Sequence, residues 1–193
     1  MRITDCRYDR DRLRLEIAYR LIGYEVRTET IRQCTTLSAD RIRRLYREYV
    51  RDQPQLRVRR RRGKSPRQMG FFLRTPQHEL EAATMACLLL ACGLLGRPGI
   101  LQRLSLEEIA RFCDAYDTFV GLRPGAVITF EHAWYLMHVL ARDDEYALSR
   151  CPQCRALWIR DRLDLVPVVC PTCRWPSDAN ATSLTASSAN AHC

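Results

Sequence analysis

The chain has 193 residues, 47% hydrophobic and 27% charged, with a formal net charge of +9. That length holds one good core, or one core with a small appended module, and the composition excludes wholesale disorder. The charged opening stretch "MRITDCRYDRDRLRLEIAYR" lacks the apolar run of a secretory signal, and the longest apolar stretch, Ala82 to Gly96, is too short to span a bilayer comfortably. A cytoplasmic protein with no membrane segment is expected.

In chain order, Asp9 to Ile22 predicts a helix, because Leu13, Ile17 and Leu21, and Leu15, Ala18 and Ile22, recur at helical spacing. A short helix from Thr28 to about Cys34 follows, then a turn at "TLS", then a second helix from Ala39 to about Val50 with Ser38 placed to cap it. Two short helices and a tight turn suggest a helix-turn-helix, with a plain helical hairpin as the alternative. On the second helix Ile42, Leu45, Tyr46 and Tyr49 form one apolar stripe. Arg44, Arg47 and Arg51 fall on the opposite side, with Arg41 and Arg43 on the flanks.

This helix opens the region that carries the excess charge. Between Arg41 and Arg67 stand eleven Arg and Lys64 against only Glu48 and Asp52, which leaves 19 basic and 20 acidic residues in the rest of the chain. Concentration of the charge in one segment, including "RVRRRRGK", points to a polyanion-binding surface. The candidate contacts are Arg41, Arg43, Arg44, Arg47 and Arg51 on the helix and Arg57, Arg59, Arg60, Arg61, Arg62 and Lys64 in the loop. A solvated basic loop is the bland alternative. A membrane-surface role fits less well, because the run lacks interleaved large apolar residues.

"GKSPRQMGFFLRTP" predicts an irregular connection, and "HELEAATMACLLLACGLLG" a buried helix ended by Gly96 and Pro98. The stretch "SLEEIARFCDAYDTFVG" offers a capping box of Ser105 and Glu108, and Gly121 to end the helix. One more helix is expected behind Thr129, in "TFEHAWYLMHVLARDDEYAL", with Ala133, Leu136, Met137 and Leu140 at core spacing. His132 and His138, six apart, do not share a face as metal ligands would, and are read as structural or partner-facing. No nucleophile triad, glycine-rich phosphate loop or close carboxylate pair stands out, so no enzymatic activity is expected.

Cys151, Cys154, Cys170 and Cys173 form C-x2-C-x15-C-x2-C, the spacing of a four-cysteine zinc site. Four thiolates leave no open position, so one structural Zn2+ is expected, with iron second and a redox dithiol pair as the alternative. "ALWIRD" and "LVPVV" predict two short strands around a turn near Asp161 to Asp164, in a zinc-ribbon-like module helped by Trp158 and Trp175. Cys6, Cys34, Cys87, Cys92 and Cys113 lack ligand spacing and are read as small buried hydrophobes. The expected class is mainly α: a helical DNA-binding and assembly domain over 1–146 with a helix-turn-helix-like segment, a four-cysteine zinc module over 147–176, and a disordered tail over 177–193.

From Leu13 to Trp175 the chain resembles the FlhC family, subunits of the bacterial FlhD/FlhC flagellar master regulator. The likeness is carried by "TLSADRIRRLYREYV", "GKSPRQMG", the helical middle and the terminal "CPQC" and "CPTC". It implies a zinc-binding transcriptional activator that joins an FlhD-like subunit in a hetero-oligomer, in the family a hexamer of four FlhD and two FlhC. Such a complex binds promoter DNA and recruits RNA polymerase to flagellar genes. The family's zinc ligands match Cys151, Cys154, Cys170 and Cys173. "VRDQPQLRVRRRR" departs from the family in being longer and more basic, and the stretch after Gly70 lacks the usual polar, tryptophan-containing continuation. A zinc-stabilised adaptor, whose basic segment engages RNA or an acidic protein, is the alternative from another class.

Overall fold

A computed structural model describes residues 3–53, 55, 58–96, 104–164 and 169–174. Arg57, Trp175, the 177–193 tail, most of "LVPVV" and the side chain of Cys6 lie outside the described residues. The chain is mainly helical: α1 (Ile3–Gly23), α2 (Thr28–Thr35), α3 (Ala39–Asp52), a 3-10 turn (Met69–Phe71), α4 (Pro76–Ala91), α5 (Leu106–Leu122) and α6 (Phe130–Arg142). A hairpin of β1 (Tyr146–Arg150) and β2 (Leu157–Asp161) and a single turn of helix, α7 (Pro171–Arg174), complete it.

The helix starts follow the local chemistry. Ser38, Thr75, Ser105 and Thr129 each accept a backbone N–H of the first turn, and Ser105 with Glu108 closes a reciprocal capping box. At Thr129 the reciprocal partner is His132, whose Nδ1 accepts the Thr129 N–H at 3.2 Å. The ends differ from expectation. Gly121 lies inside α5, α4 stops at Ala91 ahead of left-handed Gly93, and α6 stops at Arg142, giving Tyr146–Arg150 to a strand. After α1, Val26 N–H returns to Leu21 O and Glu25 N–H to Ile22 O, the paired bonds of a Schellman stop. The position that usually holds glycine is Glu25, at φ 59°.

One apolar core joins all six long helices. It holds Ile17 and Leu21 of α1, Ile31 of α2, Ile42 and Leu45 of α3, Met85 and Leu89 of α4, Phe112 and Phe119 of α5, and Phe130 and Leu136 of α6. The core extends into the hairpin, taking in Ile159, with Tyr146 and Leu148 packed against it. α4 is not buried all round as its composition suggested: Leu80 and Leu90 face solvent, while the opposite side packs on α5, α6 and β2. Among the described residues no helix is long and apolar enough to cross a membrane.

Among the described residues two carboxylates, Glu81 and Glu131, are buried with their bonds satisfied. Glu81 accepts the backbone N–H groups of Val127 and Ile128 at 3.0 and 3.3 Å, which fixes the approach to α6. Glu131 holds the start of α2 and the end of the basic loop together. Its carboxylate pairs with the Arg27 guanidinium and accepts from Arg27 N–H, Thr30 Oγ1 and Ser65 Oγ.

Candidate functional site: a cysteine cluster and an arginine surface

The four C-terminal cysteines converge, their sulfurs all within 4.8 Å of one another. A tetrahedral ion with metal–sulfur bonds of about 2.3 Å needs sulfurs about 3.8 Å apart, so a small contraction of this cluster would hold one ion. Cys154 and Cys170 already approach to 3.4 Å. Local sequence explains the aim. After each C-P pair the chain turns back: Arg155 N–H donates to Cys151 O, and Cys173 N–H and Arg174 N–H to Cys170 O. The first turn places Arg155 in the left-handed region at φ 64°.

The donor set suits a cation. Burial opposes ionisation of Cys151, but N–H donors from Cys170, Cys154 and Gln153 outweigh it and bring the thiol down to about 6. Cys173 moves the other way, pushed up to about 12 by its hydrogen bond to Cys154 and by burial. A lowered Cys151 beside Cys170 and Cys173, both raised, is an arrangement that a divalent ion stabilises by drawing off protons. The four cysteines thus form a group that could hold a metal ion.

Of the expected pair of strands, the first lies among the described residues. β2 contains most of "ALWIRD", but its partner is β1, upstream of the first C-P-x-C, in antiparallel register with Leu148 opposite Ile159 and Ser149 opposite Trp158. Alternation explains the choice. One face carries Tyr146, Leu148 and Ile159 to the helical core, and the other sets Trp158 against Cys151 and Cys170. The boundary expected after residue 146 therefore falls within β1. Arg174 of α7 lies over the Trp158 ring at 6.0 Å and pairs with Glu79 of α4 at 3.8 Å, tying the cluster to the helices. Of the remaining cysteines, Cys34 and Cys113 are buried and burial pushes both thiols up, whereas Cys87 and Cys92 are only half-buried.

The arginine surface sits at the other end of the sequence. α2 and α3 are joined by Thr36, Leu37 and Ser38, and Thr36 takes the left-handed conformation, φ 58° and ψ 12°, where a glycine often stands. Leu37 is buried and Ser38 caps α3. Ile42 and Leu45 of α3 are buried, and Arg41, Arg43, Arg44, Arg47 and Arg51 are all exposed. Arg43 is paired with Asp40 and Arg51 with Asp52, whereas Arg41, Arg44 and Arg47 have no acidic partner among the described residues.

The basic loop is pinned rather than free. Tyr46 Oη donates to Val58 O at 2.7 Å, Glu25 accepts from Arg59 N–H at 2.8 Å and from the Arg61 guanidinium at 3.2 Å, and Arg60 reaches Thr28 Oγ1 at 3.3 Å. Ser65 is held by Glu131. These anchors were missed in the sequence, where Glu25, Thr28 and Glu131 carry no pattern. The one available clue was Glu25, an acid two residues past Gly23, where α1 ends. Arg59, Arg60, Arg61, Arg62 and Lys64 are all exposed.

His132 and His138 are structural. His132 caps α6 and stacks on Phe71, ring centres 4.0 Å apart, and burial with nearby Arg61 and Arg27 lowers it to about 4. His138 Nδ1–H donates to Trp134 O, and burial lowers its pKa as well. No family model matches the chain, and no curated protein matches it at a significant level.

Proposed function

We propose that the protein is a DNA-binding transcriptional activator of the FlhC type, carrying one structural zinc ion and working in the cytoplasm with an FlhD-like partner and RNA polymerase at flagellar promoters. The observation that carries the DNA-binding reading is the outer face of α3. Arg41, Arg44 and Arg47 are exposed and without acidic partners among the described residues, on a helix whose other face is locked into the core. Guanidinium groups on such a helix can pair with guanine edges in a major groove or with flanking phosphates. Four thiolates suit zinc and iron alike, and zinc is the ion proposed because the sequence carries no redox motif. Cys151, Cys154, Cys170 and Cys173 would hold it and leave no position for substrate, so its work is to fix β1, β2 and α7. No catalytic role is assigned to any residue. The link to FlhD, polymerase and flagellar genes rests on the family resemblance.

The test is binding of the purified chain to a promoter duplex over a salt series, alone and with a co-expressed FlhD-like partner. Arg44→Ala with Arg47→Ala is expected to weaken binding at least tenfold at low salt and to reduce the log–log salt slope by about two, one for each phosphate the variant no longer neutralises. Unchanged affinity would remove α3 from the interface. Preference for single-stranded RNA or an acidic polypeptide over duplex would favour an adaptor instead.

A further inference from the structure

The pinned loop does more than expose charge. Arg60, Arg61, Arg62 and Gly63 of the loop, Arg27, Thr28 and Glu29 at the start of α2, and Arg43 of α3 line one pocket. Five guanidinium groups from three separate segments thus converge, against one lining carboxylate, Glu29, which is itself engaged by Arg32. Several are fixed from behind: Arg61 by Glu25, Arg27 by Glu131, and Arg43 by Asp40. Arg60 donates to the Thr28 hydroxyl, and among the described residues neither Arg60 nor Arg62 has an acidic partner. Arg27, the N-cap residue of α2, makes no side-chain capping bond, and its Nε is buried without a hydrogen-bond partner.

We infer that this pocket is a phosphate seat, in which Arg60 and Arg62 grip a phosphoryl oxyanion while the fixed guanidiniums and the first turn of α2 set its position. Four features support it. Planar guanidiniums match phosphate oxygens in pairs, and a helix N-terminus favours an anion. Arg27, Arg43 and Arg61 are already held in place, so only Arg60 and Arg62 are left for the ligand to order. The cations also crowd one another: Arg27 is made less basic by burial and by Arg61. A bound anion would relieve that repulsion.

The source of the phosphate rests on the DNA-binding reading, as the backbone of a duplex engaged by α3. The chemistry of the seat does not, and a free polyphosphate would meet the same donors. The experiment uses the full-length chain, a fluorescent mixed-sequence duplex and tripolyphosphate, with Arg60→Ala/Arg62→Ala beside the wild type. Both side chains are exposed, so the melting temperature is expected to stay put and to report intact folding. The expected result is a salt slope lower by one to two in the variant, with tripolyphosphate competing for the wild type and not for the variant. An unchanged slope in the variant would overturn the seat and leave the DNA-binding reading standing. Wild type that ignores duplex but binds tripolyphosphate, with loss in the variant, would keep the seat and discard the DNA reading. Binding of neither probe would end both.

Discussion

The cysteine hairpin and the basic loop are both short stretches of irregular backbone with strong chemistry, yet they are held in opposite ways. In the hairpin, four sulfurs from two C-P-x-C turns gather within 4.8 Å, and one ion would supply most of the closure. In the loop no single bond dominates. Tyr46, Glu25, Thr28 and Glu131 each contribute one to three hydrogen bonds, from four places in the helical domain. A site closed by one ligand should fail all at once, and a site closed by scattered bonds should fail by degrees.

Breaking the first kind of closure gives the largest expected effect. Cys151→Ser or Cys170→Ser should abolish stoichiometric metal binding, since small structural zinc sites draw on the order of 10 kcal/mol from the ion. Trp158, packed on both of those cysteines, should then become exposed, while α1 to α3 keep their helicity. Metal content per chain and tryptophan fluorescence read the two halves of that expectation. Wild-type metal content in either variant would mean that the four cysteines are not the ligand set.

The second closure is tested at Glu131, which is 4% exposed. Glu131→Ala leaves the half-buried Arg27 guanidinium without its carboxylate and frees Thr30 and Ser65 together. Removing one partner of a buried pair costs about 3 kcal/mol, read as a lower urea midpoint. Faster amide exchange at Arg59 to Ser65, with the cysteine cluster unaffected, would mark the loop as the part that loosened. A loss below about 1 kcal/mol would show that the loop's other anchors carry it unaided.

These two regions also differ in how far the sequence revealed them. The cysteine set was legible because both turns are local: C-P-x-C specifies its own geometry, and only the link between the pairs is long. The pairing of "YALSR" with β2 was not legible, because it depends on which alternation meets the helical core, through Leu148 and Ile159. The helices and their caps could be read, since Ser38, Ser105 and Thr129 act within three residues of themselves. The arginine face of α3 could be read from the same periodicity. The pinning of the loop could not, since the contacts of Glu25, Thr28 and Glu131 lie 34, 32 and 66 residues away.

Acid should lower the stability of the fold through His132. Burial, with Arg61 and Arg27, lowers His132 from 6.5 to about 4. The unfolded chain therefore takes up a proton that the folded chain refuses. The stability from a neutral His132 is complete above about pH 6.5 and is lost progressively as pH falls toward 4. The ring is only part-buried, so solvent screening reduces the effect to about 1–2 kcal/mol over that window. His132→Gln, which can still accept at the Thr129 N–H, should flatten this part of the stability profile. An unaltered slope would assign the acid sensitivity elsewhere.

The smallest effect concerns the turn that sets α3 against α2. Thr36 is β-branched and sits at φ 58°, a conformation that costs an ordinary residue about 1 kcal/mol or more. Thr36→Gly removes that strain, but it loosens the unfolded chain by about 0.4–1 kcal/mol and deletes the Thr36 hydroxyl bond to Thr35 O at 2.6 Å. The terms nearly cancel, so the melting temperature should move by no more than about 2 °C and duplex affinity should not change. The near-cancellation has a structural cause. The turn is held by its neighbours, with Leu37 buried on one side, Thr35 Oγ1 bonded to Ile31 O on the other and Ser38 closing the next helix. A large gain in stability with glycine would mean that these neighbours force the turn against its own preference. A drop in duplex affinity without a change in melting temperature would mean that the rigidity of Thr36 itself aims the arginines of α3.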